Sequence, residues 1–267
     1  MDLYDAHLHL QEPELIAVQE ETSDRWRRMG LVRAVSNGTS EADWEGVAAA
    51  AARDARVLPA YGLHPWRVRE RTDHWLTVLE RRLRGGHAVI GEIGLDHAVP
   101  DRADAVQEEV FLQQLDLGYQ LGLPVTIHCV RAWGRMEALL RGNRDRLPAP
   151  GFLLHAYSGP AEMVKGFADL GGYFSFSART GLERAVRMRA ALAAVPPDRL
   201  LIETDAPALP PPPEWTELEL LDRPSGRRLN HPANILSGYR CVSGILGRTM
   251  EELTEQVGGN FRRLFRE

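Results

Sequence analysis

Cysteine is nearly missing from this chain: Cys129 and Cys241 are the only two in 267 residues. Two thiols so far apart exclude a disulfide framework and a thiolate zinc site, and they fit a reducing compartment. Any metal must be held by histidine and carboxylate. Lysine is scarcer still, Lys165 standing alone among 32 Lys plus Arg. The arginines are interspersed with acids on helical stretches, so the ratio reads as composition bias and not as a phosphate-binding surface. No apolar run approaches the ~18 residues of a membrane span. The charged opening Met1-Asp2-Leu3-Tyr4-Asp5-Ala6-His7 also lacks the basic and apolar regions of a signal peptide. A soluble, cytoplasmic protein with no membrane partner is expected. Excess positive charge is absent too, since 37 Asp plus Glu outweigh the cations and leave a net charge of −5. The surface as a whole will not attract a long duplex, and any nucleic-acid contact must be local. What is present is 44% apolar residues, enough for one large core.

Short β-rich runs alternate with helical patterns. Strands are expected at Leu3–His7, Leu31–Ser36, Val57–Tyr61, Ala88–Glu92, Pro124–His128, Phe152–His155, Tyr173–Phe176 and Leu200–Glu203. Amphipathic stretches fall between them, at Glu41–Ala55, His74–Arg84, Ala105–Leu121, Trp133–Arg141, Ala161–Leu170 and Leu182–Ala194. Such alternation suits a (β/α)8 barrel or a large doubly wound sheet. The ionisable residues decide between them, because they gather where strands end, and only a barrel brings all eight C-terminal strand ends to one mouth. The expected fold is therefore α/β, a (β/α)8 TIM barrel in a single domain over 1–267. Residues 207–228, with Pro210-Pro211-Pro212-Pro213, read as a long loop at the mouth, and residues 233–265 as two closing helices, Ala233–Leu246 and Met250–Phe265.

His7 and His9 are two apart, so on a strand they project to one face and can chelate one ion. They are joined by Glu92, His128, His155 and Asp205, each at the end of a different expected strand. Four histidines and two carboxylates exceed one tetrahedral site and point to two divalent ions sharing a carboxylate. Such a pair activates water and neutralises charge on a phosphoryl or acyl oxygen, so the expected reaction is hydrolysis. The donors suit Zn, Mg or Mn, and equally Fe or Ni.

These residues stand in recognisable motifs: Asp5-Ala6-His7-Leu8-His9, Gly62-Leu63-His64-Pro65, Gly91-Glu92-Ile93-Gly94-Leu95-Asp96, Pro124-Val125-Thr126-Ile127-His128, His155-Ala156-Tyr157-Ser158-Gly159, Glu203-Thr204-Asp205-Ala206-Pro207 and Asn260-Phe261-Arg262-Arg263-Leu264-Phe265. In order and over nearly the whole chain they resemble the TatD-type metal-dependent hydrolases of the amidohydrolase superfamily. The resemblance implies a TIM barrel that cleaves DNA phosphodiesters, often as a 3′-to-5′ exonuclease. It also implies that His7 and His9 bind one ion, His128 and His155 the other, that Glu92 bridges, and that Asp205 binds the first ion and orients or deprotonates the attacking water. Relatives bridged by a carboxylated lysine fit poorly, because the fourth-strand position is Glu92.

The chain departs from the family at three points. The family's His-x-Arg-x-Ala has Val130 at its arginine, with Arg131 one residue later; Trp66 stands where many members carry a second histidine; and Arg228-Leu229-Asn230-His231-Pro232 resembles the family's Arg/Asn-x-Pro element, displaced by a long loop. Candidate substrate contacts are His64 to a phosphate, Trp66 and Tyr157 stacking on bases, and Arg131, Arg228 and Asn230. Asp5 and Glu203 are candidates for orienting the ligands, whereas Asp96 reads as support for the loop after Glu92 and Cys129 as packing. The leading expectation is a phosphodiesterase acting on DNA single strands or strand ends. A small-molecule amidohydrolase or esterase with the same metals, and a noncatalytic metal-stabilised binding module, are the alternatives. Intact Asp205 tells against the last.

Overall fold

The computed structural model describes residues 1–100 and 103–267. Eight parallel strands run in sequence order around one sheet: β1 Leu3–Leu8, β2 Leu31–Asn37, β3 Val57–Tyr61, β4 Val89–Asp96, β5 Val125–Val130, β6 Phe152–Leu154, β7 Gly172–Phe176 and β8 Leu200–Ile202. The ring closes just beyond the last strand, where the Asp205 amide donates to His7 O at 2.9 Å and the His9 amide to Ala206 O at 2.8 Å. The sheet is the expected TIM barrel, with its helices outside. They are α1 Pro13–Ile16, α2 Gln19–Met29, α3 Trp44–Arg53, α4 Trp75–Arg84, α5 Asp104–Leu121, α6 Trp133–Gly142, α7 Val164–Asp169, α8 Val186–Ala194, α9 Ile235–Leu246 and α10 Met250–Phe265. No helix among the described residues is long and apolar enough to cross a membrane.

Gly30 and Gly122 end α2 and α5 with φ of 83° and 64°, the left-handed conformation that costs glycine least. α10 opens with a capping box in which Thr249 and Glu252 each bond the other's backbone amide. Both closing helices brace the seam. The Tyr239 hydroxyl of α9 accepts from the Tyr4 amide and donates to its carbonyl, and Phe261 of α10 lies with its ring centre 4.9 Å from that of Tyr4.

Two boundaries differ from expectation in ways that matter for the site. β4 runs on to Asp96 and is buried along its whole length, because it is squeezed against β5. A Cβ on Gly91 would fall 1.8 Å from Thr126 Oγ1, and one on Gly94 1.9 Å from His128 O, so only glycine admits this approach. Segment 207–228 is not wholly irregular either. It contains a 3-10 turn at Pro213–Trp215 and β9 Glu219–Leu221, which pairs antiparallel with β10 Arg228–Asn230.

Candidate metal centre

Six of the expected residues converge at the C-terminal mouth of the barrel, the end where (β/α)8 proteins carry their chemistry. β1 supplies His7, and His9 follows one residue past its end; β4 supplies Glu92 and β5 His128, while His155 and Asp205 lie just past β6 and β8. Glu92 is the centre. Its Oε2 lies 3.4 Å from His7 Nε2 and 3.5 Å from His9 Nε2, while its Oε1 lies 2.8 Å from His128 Nδ1 and 2.7 Å from His155 Nε2. Asp205 Oδ1 joins the first group, 3.4 Å from His9 Nε2 and 3.8 Å from His7 Nε2. Within each group the paired imidazole nitrogens are 3.3 Å apart. Ligands held ~2.1 Å from a tetrahedral ion stand ~3.4 Å from one another; the first group has this spacing, while in the second Glu92 Oε1 is drawn to hydrogen-bond distance of His128 and His155.

The ring orientations are set from behind. His9 Nδ1 lies 2.8 Å from Asn37 O, leaving Nε2 to face the cluster. His128 is turned the other way: Nε2 lies 3.2 Å from Asp96 Oδ2, so Nδ1 points inward. Glu203 faces His155 Nδ1 at 3.8 Å and accepts a short hydrogen bond from the Ser175 hydroxyl. Asp5 acts on backbone, accepting from the amide and hydroxyl of Thr204 at 3.0 and 2.6 Å and from the His7 amide at 3.3 Å. It ties the strand bearing the histidine pair to the segment bearing Asp205, and its burial pushes its carboxyl up to about 8.

The electrostatics call for cations. Burial alone would raise the Glu92 carboxyl, but His155, His64, His7 and His128 outweigh it and hold it well below the usual range. Burial is likewise overcome at Asp205, which His9, His155 and His7 keep low. In return the carboxylates drive His9 up to about 9 and His155 well above its ordinary value, despite burial. Two buried carboxylates thus hold protons on neighbouring imidazoles, the positive charge that divalent ions would supply by displacing those protons. The residues fit such ions.

His64 sits beside the cluster with Nε2 3.5 Å from Glu92 Oε1. Its Nδ1 accepts from the Trp66 amide at 3.1 Å, so the ring proton is on Nε2, and burial lowers its pKa to about 4. It is a neutral donor aimed into the site. Trp66 is 60% exposed at the rim, and its indole donates to Asp96 Oδ2 at 2.7 Å. Asp96, read from sequence as a loop support, thus links Trp66 to His128. Its even spacing from Glu92 along one strand was the available signal, since residues 92, 94 and 96 share a face.

Three expected substrate contacts are not at the mouth's surface. Tyr157 is fully buried against Trp133 and Phe174, its hydroxyl donating to Pro160 O at 2.8 Å, so no face is left to stack on a base. Asn230 is buried and donates to Thr204 O at 2.7 Å, which makes it a fastener of the β8 loop. Arg228 is spent on that loop as well, donating to Thr216 Oγ1 at 3.0 Å and facing Glu219 at 3.5 Å. Arg131 is exposed after β5, with φ 55°. Cys129 is buried, as expected for packing. Arg179, just beyond β7, also lines the mouth and was not singled out from the sequence, where its strand-end position was the signal.

Two cavities meet at the cluster. One, of 360 Å³, is lined by His9, Glu12, His64, Arg67 and Arg227; the other, of 490 Å³, runs from His128 and Asp205 past Phe176 to Arg179 and Met188. Trp66 stands between them and lines both.

A parallel barrel with a buried histidine–carboxylate cluster at its strand ends defines a metal-site (β/α)8 protein. The family description "TatD related DNase" matches residues 4–266, and the chain belongs to that family. It is 32% identical over 266 residues to the 3'-5' ssDNA/RNA exonuclease TatD of Cronobacter sakazakii, covering 98% of this chain and 97% of that protein. It is 31% identical over 211 residues to the uncharacterized metal-dependent hydrolase YcfH of Escherichia coli K12, covering 78% and 74%. The crystal structure of YJJV, a TatD homolog from Escherichia coli K12, superposes with a TM-score of 0.88 at 24% identity over 99% of this chain and 98% of that one, which shows the shared fold.

Proposed function

We propose that the protein is a divalent-metal-dependent phosphodiesterase acting on single-stranded nucleic acid from a 3′ end, in the cytoplasm, with two ions held about Glu92. The observation that carries this reading is the division of one carboxylate between two donor groups, Oε2 toward His7 and His9 and Oε1 toward His128 and His155. The exonuclease name of the full-length relative supports the substrate class. His7, His9 and Asp205 would hold one ion and His128 and His155 the other. When bound, the ions would make the attacking water more acidic and neutralise charge on the phosphoryl oxygens.

The remaining chemistry falls to the chain's own groups. Asp205, kept ionised by His9, takes the proton of the attacking water. His64, neutral with its proton on Nε2, donates to a phosphoryl oxygen. Asp96 and Asn37 O keep His128 and His9 in the rotamers that face the cluster.

The test is an assay of end-labelled single- and double-stranded oligonucleotides across Mg, Mn and Zn after chelation, with a lactone alongside. Single-strand shortening from the 3′ end that needs added ion is expected; lactone hydrolysis alone would favour a small-molecule amidohydrolase. Asp205→Asn should cut the single-turnover rate at least ~100-fold, the loss typical of a positioned base, while keeping most of its metal. Glu92→Gln should empty both metal positions. Rates within a few-fold for Asp205→Asn, or two metals retained at unchanged affinity in Glu92→Gln, would overturn the roles assigned.

A further inference from the structure

The 490 Å³ cavity does not end at the cluster. It adjoins an open cavity of 530 Å³ at the start of α8, and Ser158, Arg179 and Met188 line both. Its far part is lined by Arg184 and Arg187. Several of the molecule's arginines are tied to acids, as in Arg141–Glu137 at 2.7 Å, Arg25–Glu21 at 3.1 Å and Arg27–Asp24 at 2.8 Å. Arg179, Arg184 and Arg187 have no ion pair among the described residues, although Glu183 lies in the same segment.

Arg179 is half-buried, and burial together with the Arg184 guanidinium depresses its pKa. Asp205 acts on it in the opposite sense but makes no direct ion pair with it, and a guanidinium partly stripped of water gains from a ligand anion that completes it. The backbone presenting these groups is fixed. Arg189, the fourth arginine of the segment, donates to the carbonyls of Thr180, Leu182 and Glu183 at 3.2, 2.6 and 3.0 Å, and pins the turn between Arg179 and α8. Phe176, Met188 and Leu209 supply apolar wall between the cluster and the first cation.

We infer that residues 179–187 form a phosphate track for a single strand, with Arg179 holding the phosphate next to the scissile one and Arg184 and Arg187 those beyond. This rests on the phosphodiesterase reading and adds the path of the strand and its polyanionic character. On a molecule of net charge −5 the attraction is local, so it takes a chain with several phosphates to engage all three arginines.

Arg184 and Arg187 are exposed, so their joint replacement by alanine tests the track without loss of fold. The holoenzyme is assayed on oligothymidylates of two to eight nucleotides at several KCl concentrations, and binding of fluorescein-labelled octathymidylate is followed by anisotropy. In the wild type KM should fall as the chain lengthens. In Arg184→Ala/Arg187→Ala that length dependence should flatten, with KM for the octamer raised at least tenfold and kcat little altered. The slope of log(kcat/KM) against log[KCl] should become shallower by about 1.4, at ~0.7 for each single-strand phosphate no longer neutralised. Arg25→Ala/Arg27→Ala on α2 makes the same change of net charge away from the mouth and serves as control. A double variant matching that control in length dependence and salt slope overturns the track. An enzyme that cleaves no oligonucleotide overturns the proposed function instead, and the anisotropy difference between the two double variants then still decides the track.

Discussion

His231 illustrates how one buried side chain can set a pH limit. It begins the turn before α9, its Nδ1 accepting the Ala233 amide at 2.9 Å, and burial lowers its pKa from 6.5 to about 4. The unfolded chain takes up this proton first as pH falls, so stability present above about 6.5 drains away toward pH 4, by up to about 3 kcal/mol. His231→Asn keeps an acceptor for the amide and removes the titration. Its denaturant midpoint should be lower at pH 7, because of the smaller side chain, yet fall less on acidification, so that the two pH curves converge toward the acid end. Parallel curves would assign the acid loss elsewhere. At this scale the proposed metal ligands were readable as a cluster because each stands at a strand end, where position alone dictates direction. Tyr157 and Asn230 were not, since whether a mouth residue faces solvent or the wall behind it depends on partners brought from distant sequence, here Trp133 and Thr204.

Among elements, the hairpin of β9 and β10 is the clearest departure from what the sequence could tell. Four consecutive prolines rightly excluded a helix, but nothing local indicated that Leu220 would pair with Leu229 across the intervening turn. What attaches this hairpin to the barrel is Asn230, whose side-chain amide reaches Thr204 O and Leu209 O, and whose backbone amide reaches Pro207 O at 2.9 Å. Asn230→Ala leaves the Thr204 carbonyl without its buried donor, a loss of about 1–3 kcal/mol. The chemical denaturation midpoint should fall accordingly, and limited proteolysis should cut within 208–228 earlier than in the wild type. An unchanged midpoint and cleavage pattern would show the hairpin to be held by other contacts. β4, by contrast, runs past its expected end at Glu92, and Gly94 is the position where close packing on His128 demands glycine.

Over the whole molecule, the alternation of strands and helices determined the barrel, and the gathering of ionisable residues at strand ends told it from an open sheet. If the cluster at its mouth holds ions as proposed, stability should depend on them. A ligand present at 1,000 times its Kd and bound only by the folded state adds about 4 kcal/mol. For a domain of this size that corresponds to a Tm shift on the order of 10 °C. Chelation should lower Tm by this order, re-addition of Mn or Zn should restore it, and Glu92→Gln should have a low Tm that ion no longer raises. A Tm indifferent to chelation would mean that the cluster holds no ion tightly.

The seam of the barrel has one more consequence. Asp5 and Thr204, whose hydrogen bonds draw His7 and His9 up to Asp205, are 199 residues apart. Protein synthesis is vectorial, and the histidine pair leaves the ribosome long before its carboxylate partner has been translated. A nascent or prematurely stopped chain ending short of the eighth strand carries Glu92 and all four histidines but no Asp205 and no closed ring to hold them in register. In such a chain the seam bonds between Asp5 and Thr204 are missing, and the cluster is assembled only with closure.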